Sequence, residues 1–458
     1  MHGKDGGSDG RRTLRRALVC TVLAFALVFG APFARAMTIE KVTAASGLSA
    51  WLVEDHSLPI VTVRFAFATG AALDPAGKRG VAAMAAALLS EGAGPYDFEA
   101  FRARLEDLAT DLYFDAGQDE FEGNLRCLKR NLDASARLLR LALTAPRFDP
   151  DAVARVRGGI VASLSRAAQS PSDLSGRLWM RAAFEHHPYA HRIDGTAASI
   201  GRITAADLRA FVKERLHRPG LVIGAVGDIT PNQLRALIDR VFGGLPASPV
   251  AAAIAEAKPI EDGALILKRR KVAQSVVTFG QVGPKRADPH WYAALLVNDI
   301  LGGGDFRGRL MRDIREKRGL AYDVSSDLVP LHHAGLLLGS VATANAHVAE
   351  VIRLVRGEWA RMRDKGPTAA ELAASKSYLT GSFPLTLSST GQVAETLVDM
   401  QIEKLGIDYL GRRAALIDGV TLDEARAEAR RLLDPKGLSF AVVGDPPGLA
   451  AARAAPAL

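Results

Sequence analysis

Cysteine is almost missing from this chain of 458 residues: there are two, Cys20 and Cys127. Cys20 lies in an N-terminal apolar run that reads as a removable leader, so the mature chain keeps one thiol and can form no internal disulfide. Stability has to come from burial, and 48% apolar residues over this length suffices for two cores. Long apolar runs are also absent after residue 36. No later segment approaches the roughly 18 apolar residues of a spanning helix, which excludes a stable membrane anchor in the mature chain. A strong charge excess is lacking too. The leader carries six Lys/Arg and two Asp, so its removal lowers the formal charge from +8 to +4 and leaves no case for nucleic acid.

The leader itself has a basic start (Arg11, Arg12, Arg15, Arg16), the apolar run ALVCTVLAFALVFGA and a small-x-small site at Ala34-Arg35-Ala36. This is the pattern of a secretory signal peptide over 1–36 and implies a periplasmic protein. Its RRTLRR is a poor match to the twin-arginine signal, which favours the general export route.

What is present is an internal repeat. ITAADLRAFVKERLHRPGLVIGAVGD (203–228) aligns without a gap on VTLDEARAEARRLLDPKGLSFAVVGD (420–445), at a constant offset of 217. Each copy opens on a Thr cap, Thr204 or Thr421, continues as a helix with acidic residues in its first turn, and ends in a strand closing on Gly-Asp. The chain therefore reads as two similar domains, 37–245 and 263–448. A proline- and alanine-rich linker spans 246–262, and 449–458 is a tail. Each half opens on a strand pair, GLSAWLVED with IVTVRFAFATGA and ALILKRR with SVVTFGQVG, followed by helices and a returning strand. This predicts an α+β fold, with mostly antiparallel sheets covered by helices.

One helix is conspicuous for its lack of chemistry. In GVAAMAAALLSEGAG (80–94), Val81, Met84 and Leu88 form a buried stripe at i, i+3 and i+7, and most other positions are alanine.

Four segments, the first of which contains this helix, tie the chain to a known family. FAFATGAALDPAGKRGVAAMAAALLSEGAG, HPYAHRIDG (187–195), LVNDILGGGDFRGRLMRDIREKRGLAYDVSSD (296–327) and GSFPLTLSSTGQVAETLVDMQIEKLGIDYL occur in the order found in the pitrilysin/insulinase metallopeptidases. They resemble in particular the two-domain, processing-peptidase-like type, each chain of which forms half of a clam-shell. Active members carry H-x-x-E-H on a helix, with two imidazoles one turn apart to hold zinc and a Glu as base. The resemblance lays that motif on Ala83, Met84, Ala85, Ala86 and Ala87, so that Ala83 and Ala87 replace the histidines and Ala86 the glutamate. The third ligand should fall near Ala162 or Ser163, again without a carboxylate. The resemblance thus implies a chain with no metal site of its own.

In IREKRGLAY, Arg315 and Tyr322 match the Arg and Tyr that the resemblance assigns to gripping the substrate carbonyl. Without the family, Arg315 among Arg312, Lys317 and Arg318 reads as a solvated basic face, and Tyr322 as a core aromatic. Asp313, Glu316 and Asp323 read as surface carboxylates. Gly302, Gly303 and Gly304 lack the GK[ST] of a phosphate loop and read as a turn bordering a substrate cleft. Glu185, His186 and His187 are adjacent in sequence and point apart, and His332 and His333 have no acidic or cysteine neighbour at ligand spacing. Neither group reads as a metal site. Two functions follow. In one, the chain is the zinc-less subunit of a periplasmic heterodimer, completing the site of an H-x-x-E-H homologue that brings the zinc and enclosing peptide substrate. In the other, it is a non-catalytic structural or peptide-binding member of the family.

Overall fold

The computed structural model describes residues 37–248, 254–303, 307–451 and 453–456; the 1–36 leader lies outside them. The described residues from Ile39 onward form one compact unit. Six strands from the first half make one sheet: β1 (Glu40–Thr43), β2 (Ser49–Glu54), β3 (Ile60–Phe67), β4 (Asp111–Ala116), β5 (Phe121–Leu128) and β6 (Val222–Gly227). Their order is β1-β2-β6-β3-β5-β4. The second sheet has the order β7-β11-β8-β10-β9, from β7 (Leu265–Arg269), β8 (Gln274–Val282), β9 (Ala321–Leu331), β10 (Ala334–Ala344) and β11 (Ser439–Gly444). Among the strand pairs of the described residues, β2 with β6 and β7 with β11 run parallel and the others antiparallel. The expected α+β fold with mostly antiparallel sheets is what the chain adopts.

One local expectation needs correcting. The opening strands of each half are not partners, because the returning strand inserts between them: β6 between β2 and β3, β11 between β7 and β8. β6 and β11 are the repeat itself, since Val222 and Ser439 are 217 apart. Their alternation is lost because both faces are covered: β11 is buried at every position and β6 at all but one. Thr204 and Thr421 cap their helices through capping boxes with Asp207 and Glu424.

The coverage of those sheets is reciprocal. The helix Pro171–Phe184, from the first half, lies on β8 and β11 of the second sheet, packing Leu178, Trp179 and Ala182 with Leu336, Ala441 and Val443. The helix Thr390–Ile402, from the second half, lies on β3 and β6 of the first, packing Val393, Ala394 and Leu397 with Val53 and Val226. Polar contacts repeat across this exchange. Thr62 and Thr390 meet through their hydroxyls at 2.9 Å, and Thr278 donates to Ser175 at 2.9 Å. Gly224 permits the approach, because a Cβ there would fall 2.7 Å from the Ala394 carbonyl oxygen.

Candidate functional site

The alanine helix runs over Val81–Leu88 and buries Val81, Met84 and Leu88 in the first core. Its N-cap, Gly80, has φ +96 and no side chain to offer, so the capping acceptor is supplied by Asp74. Asp74 Oδ2 accepts from Gly80 N at 2.7 Å and Oδ1 from Ala82 N at 3.3 Å. Burial pushes this carboxyl up to about 7 despite those donors. The turn HPYAHRIDG is clamped on the same end. Gly195 has φ +67, and a Cβ there would lie 2.1 Å from the Arg79 carbonyl oxygen.

Ala83 is half-buried, Ala86 buried and Ala87 exposed, and Ala162 and Ser163 on the helix Pro150–Ala167 are exposed. Methyl and hydroxyl groups offer zinc no usable donor set, so a catalytic metal does not fit these positions. Among the described residues no three His, Cys, Asp or Glu side chains are grouped to hold a metal ion.

Arg315 and Tyr322 are brought together. Arg315 sits in a π-helical turn, Met311–Glu316, widened by the bond from Lys317 N to Arg312 O at 3.0 Å. Gly319, at φ +62, reverses the chain, and Leu320 N returns to Ile314 O at 3.0 Å. The chain then enters β9, an edge strand, through a β-bulge: Ala321 pairs with Thr343 and Val324 with Val341, leaving one extra residue on β9. Tyr322 falls in that bulge and is 82% exposed, which corrects the reading of it as a core aromatic. The Arg315 guanidinium lies 4.8 Å from its ring centroid.

Beneath Arg315 a second expectation fails. Asp313 is not a surface carboxylate: it is 3% exposed and anchors the turn. Its carboxylate pairs with Lys317 at 2.7 Å and Arg361 at 3.2 Å, while its carbonyl accepts from Arg318 at 2.6 Å. Arg361 also holds Glu358 at 2.7 Å. Burial and the neighbouring Asp313 push Glu358 up to about 7, while, against its own burial, the contact with Glu358 and the cations Lys317 and Arg361 hold Asp313 well below the usual range. Glu316 and Asp323 are exposed, as expected.

Gly302 and Gly303 end a π turn, Asp299–Gly303, and press on β9: a Cβ would meet Ser326 Oγ at 2.5 Å and Asn298 Nδ2 at 2.8 Å, respectively. That contact gives both glycines a packing reason. Gly304 lies outside the described residues.

The family profile described as "Peptidase M16 inactive domain" matches residues 202–379. A crystal structure of a peptidase M16 inactive domain from Pseudomonas fluorescens superposes with a TM-score of 0.84 at 30% identity, covering 90% of this chain and 99% of that one. The chain belongs to the peptidase M16 family. A protein of Helicobacter pylori named non-peptidase homolog YmxG is 26% identical over 398 residues, 86% of this chain and 90% of its own. An uncharacterized zinc protease of Streptomyces coelicolor is 28% identical over 312 residues, 66% of this chain and 67% of its own. Within the M16 family this chain is an inactive-type member.

Sequence reasoning missed how this M16 chain closes its centre. His332 and His333 lack acidic neighbours in sequence, yet the fold brings Asp119 and Glu120 to them. His332 Nε2 lies 2.6 Å from Glu120, and its backbone N donates to Asp119 at 3.1 Å. That contact raises the His332 pKa. His187 is structural: its Nδ1 accepts from Tyr189 N, and its Nε2 faces the Ala255 carbonyl at 3.0 Å. Residues separated by over two hundred positions give no local signal for such contacts.

Proposed function

We propose that this chain is the non-zinc subunit of a periplasmic, heterodimeric M16 peptidase, exported by its 1–36 leader. Its partner is an M16 homologue bearing H-x-x-E-H, which supplies the zinc and the general base. This chain contributes half of a clam-shell around the peptide, together with Arg315 and Tyr322. The guanidinium and the phenol donate hydrogen bonds to the peptide carbonyl oxygen as negative charge develops on it. The observation carrying this reading is the bulge at Tyr322: an edge strand spends an irregularity on turning a large aromatic outward beside an arginine. A core or purely structural tyrosine has no need of it.

The test is reconstitution. Co-expression with an H-x-x-E-H homologue should give a co-purifying pair that hydrolyses peptide, while this chain alone hydrolyses none. A chain that stays monomeric beside such a homologue would overturn the pairing and leave the structural or peptide-binding reading.

A further inference from the structure

Arg315 and Tyr322 do not line the cavity that is richest in arginine. This cavity, of about 450 Å³, opens between the helix Pro171–Phe184 and the HPYAHRIDG turn. Its walls carry four arginines, Arg79, Arg177, Arg181 and Arg192, against one carboxylate, Asp194. Asp194 is taken by Arg192 at 3.1 Å. Among the described residues no carboxylate pairs with Arg79, Arg177 or Arg181. The one imidazole present is no counter-charge: His191 Nδ1 faces Arg181 Nη1 at 3.3 Å. Burial and the nearby Arg79 and Arg181 hold His191 down to about 4. Burial, with Arg181 beside Arg79 and Arg192 beside Arg177, also lowers those two guanidiniums. Asp173 acts on Arg177 only as a nearby charge, without an ion pair, and Asp194 is already held by Arg192. Guanidinium groups in such excess in a partly dehydrated hollow are a structure that an anionic ligand completes.

The spacing narrows the ligand. Arg177 and Arg181 stand one helical turn apart, about 6 Å along the axis. Carboxylates on alternate residues of an extended peptide stand about 7 Å apart on one side. Between the arginines the lining is apolar, with Met180, Ala190 and Ile193, and the volume falls in the range of organic ligand pockets rather than of one small ion. Gly176 is part of the lining, and a Cβ there would meet nothing within 4 Å, so a larger side chain has room to enter the cavity.

We propose that this cavity is a receptor for an acidic peptide segment in extended form, with Asp or Glu at alternate positions. The proposal rests on the reading that the chain holds peptide, but it needs neither the partner nor its zinc. It is therefore tested on the full mature chain alone, so that failure to pair and failure to bind acid are separate results. A fluorescent, end-capped peptide containing Glu-x-Glu-x-Glu is titrated by anisotropy beside its Gln-x-Gln-x-Gln counterpart. The acidic peptide should bind at least about tenfold more tightly, and its binding should weaken steeply as salt is raised. Arg177→Gln and Arg181→Gln should each weaken it about 10- to 100-fold, the cost of a charged hydrogen bond. Both variants should melt no lower than the parent, because each removes a like charge. Gly176→Leu keeps every charge and puts a side chain into the lining, so it should also weaken binding while leaving the fold intact. Equal binding of the two peptides would overturn the proposal. So would unchanged affinity in all three variants, or pyrophosphate that binds and is not displaced by the acidic peptide.

Discussion

The hydroxyl of Tyr189 lies 2.7 and 2.8 Å from the two carboxylate oxygens of Asp119 and accepts a bond from the backbone N of His333 at 3.1 Å. Both side chains are buried. The contact joins the HPYAHRIDG turn, the loop after β4 and the β9–β10 turn, which belong to different halves of the repeat. Tyr189→Phe keeps the ring and strips a buried carboxylate of a donor. It should cost about 1–3 kcal/mol, read as a lowered midpoint in urea unfolding. Unchanged stability would mean that packing alone holds this junction.

Arg315 and Tyr322 carry a different expectation, because Tyr322 is exposed and buries little. In the reconstituted pair, Tyr322→Phe and Arg315→Ala should each lower kcat by about 10²- to 10³-fold, the usual cost of losing one oxyanion donor. Melting temperatures should stay within a degree or two of the parent. Full activity in both variants would remove these residues from the site.

Glu358 makes stability depend on pH. Its carboxyl titrates at about 7 in the fold against about 4.5 in the unfolded chain. A raised carboxyl pKa leaves stability undiminished at low pH and erodes it as pH climbs from about 4.5 to 7. Asp313, held low, acts oppositely and loses its contribution as pH falls below about 4. Glu358→Gln should therefore flatten the melting curve between pH 5 and 7 and raise the melting temperature at pH 8. A variant that melts lower at pH 8 would show that the pair is held by charge after all.

Metal content offers a fourth check. The positions on which the family resemblance lays the zinc ligands are alanine or serine here, so elemental analysis of the purified chain should find no stoichiometric zinc. One tightly held zinc per chain, lost on replacing His186 or His187, would reverse that expectation.

The parts of this fold legible from sequence were those written locally. The helix over 81–88 announced itself through Val81, Met84 and Leu88, and the repeat through an uninterrupted offset between two copies of one helix–strand unit. The strand order was not legible, because β2 and β3 are neighbours in the chain while the partner between them, β6, arrives more than 150 residues later. Asp313 was misjudged for a related reason: among Arg312, Lys317 and Arg318 it looks solvated, and only Arg361 and Glu358 from a distant helix reveal its burial. Arg79, Arg177, Arg181 and Arg192 share no motif. Helical spacing brings Arg177 and Arg181 to one face, but the approach of Arg79 and Arg192 to them is a product of tertiary structure.

The reciprocal placement of the helices Pro171–Phe184 and Thr390–Ile402 has a consequence for how such a molecule can come apart. Each repeat lends the other its roof, so neither is a self-sufficient building block despite its resemblance to its twin. Cleavage of the connecting stretch near residue 250 should leave the two fragments bound together, whereas either fragment made alone would present a bare sheet face and an orphaned apolar helix. A duplication that ends in such mutual lending cannot easily be undone, because deleting either copy strips the other of its cover.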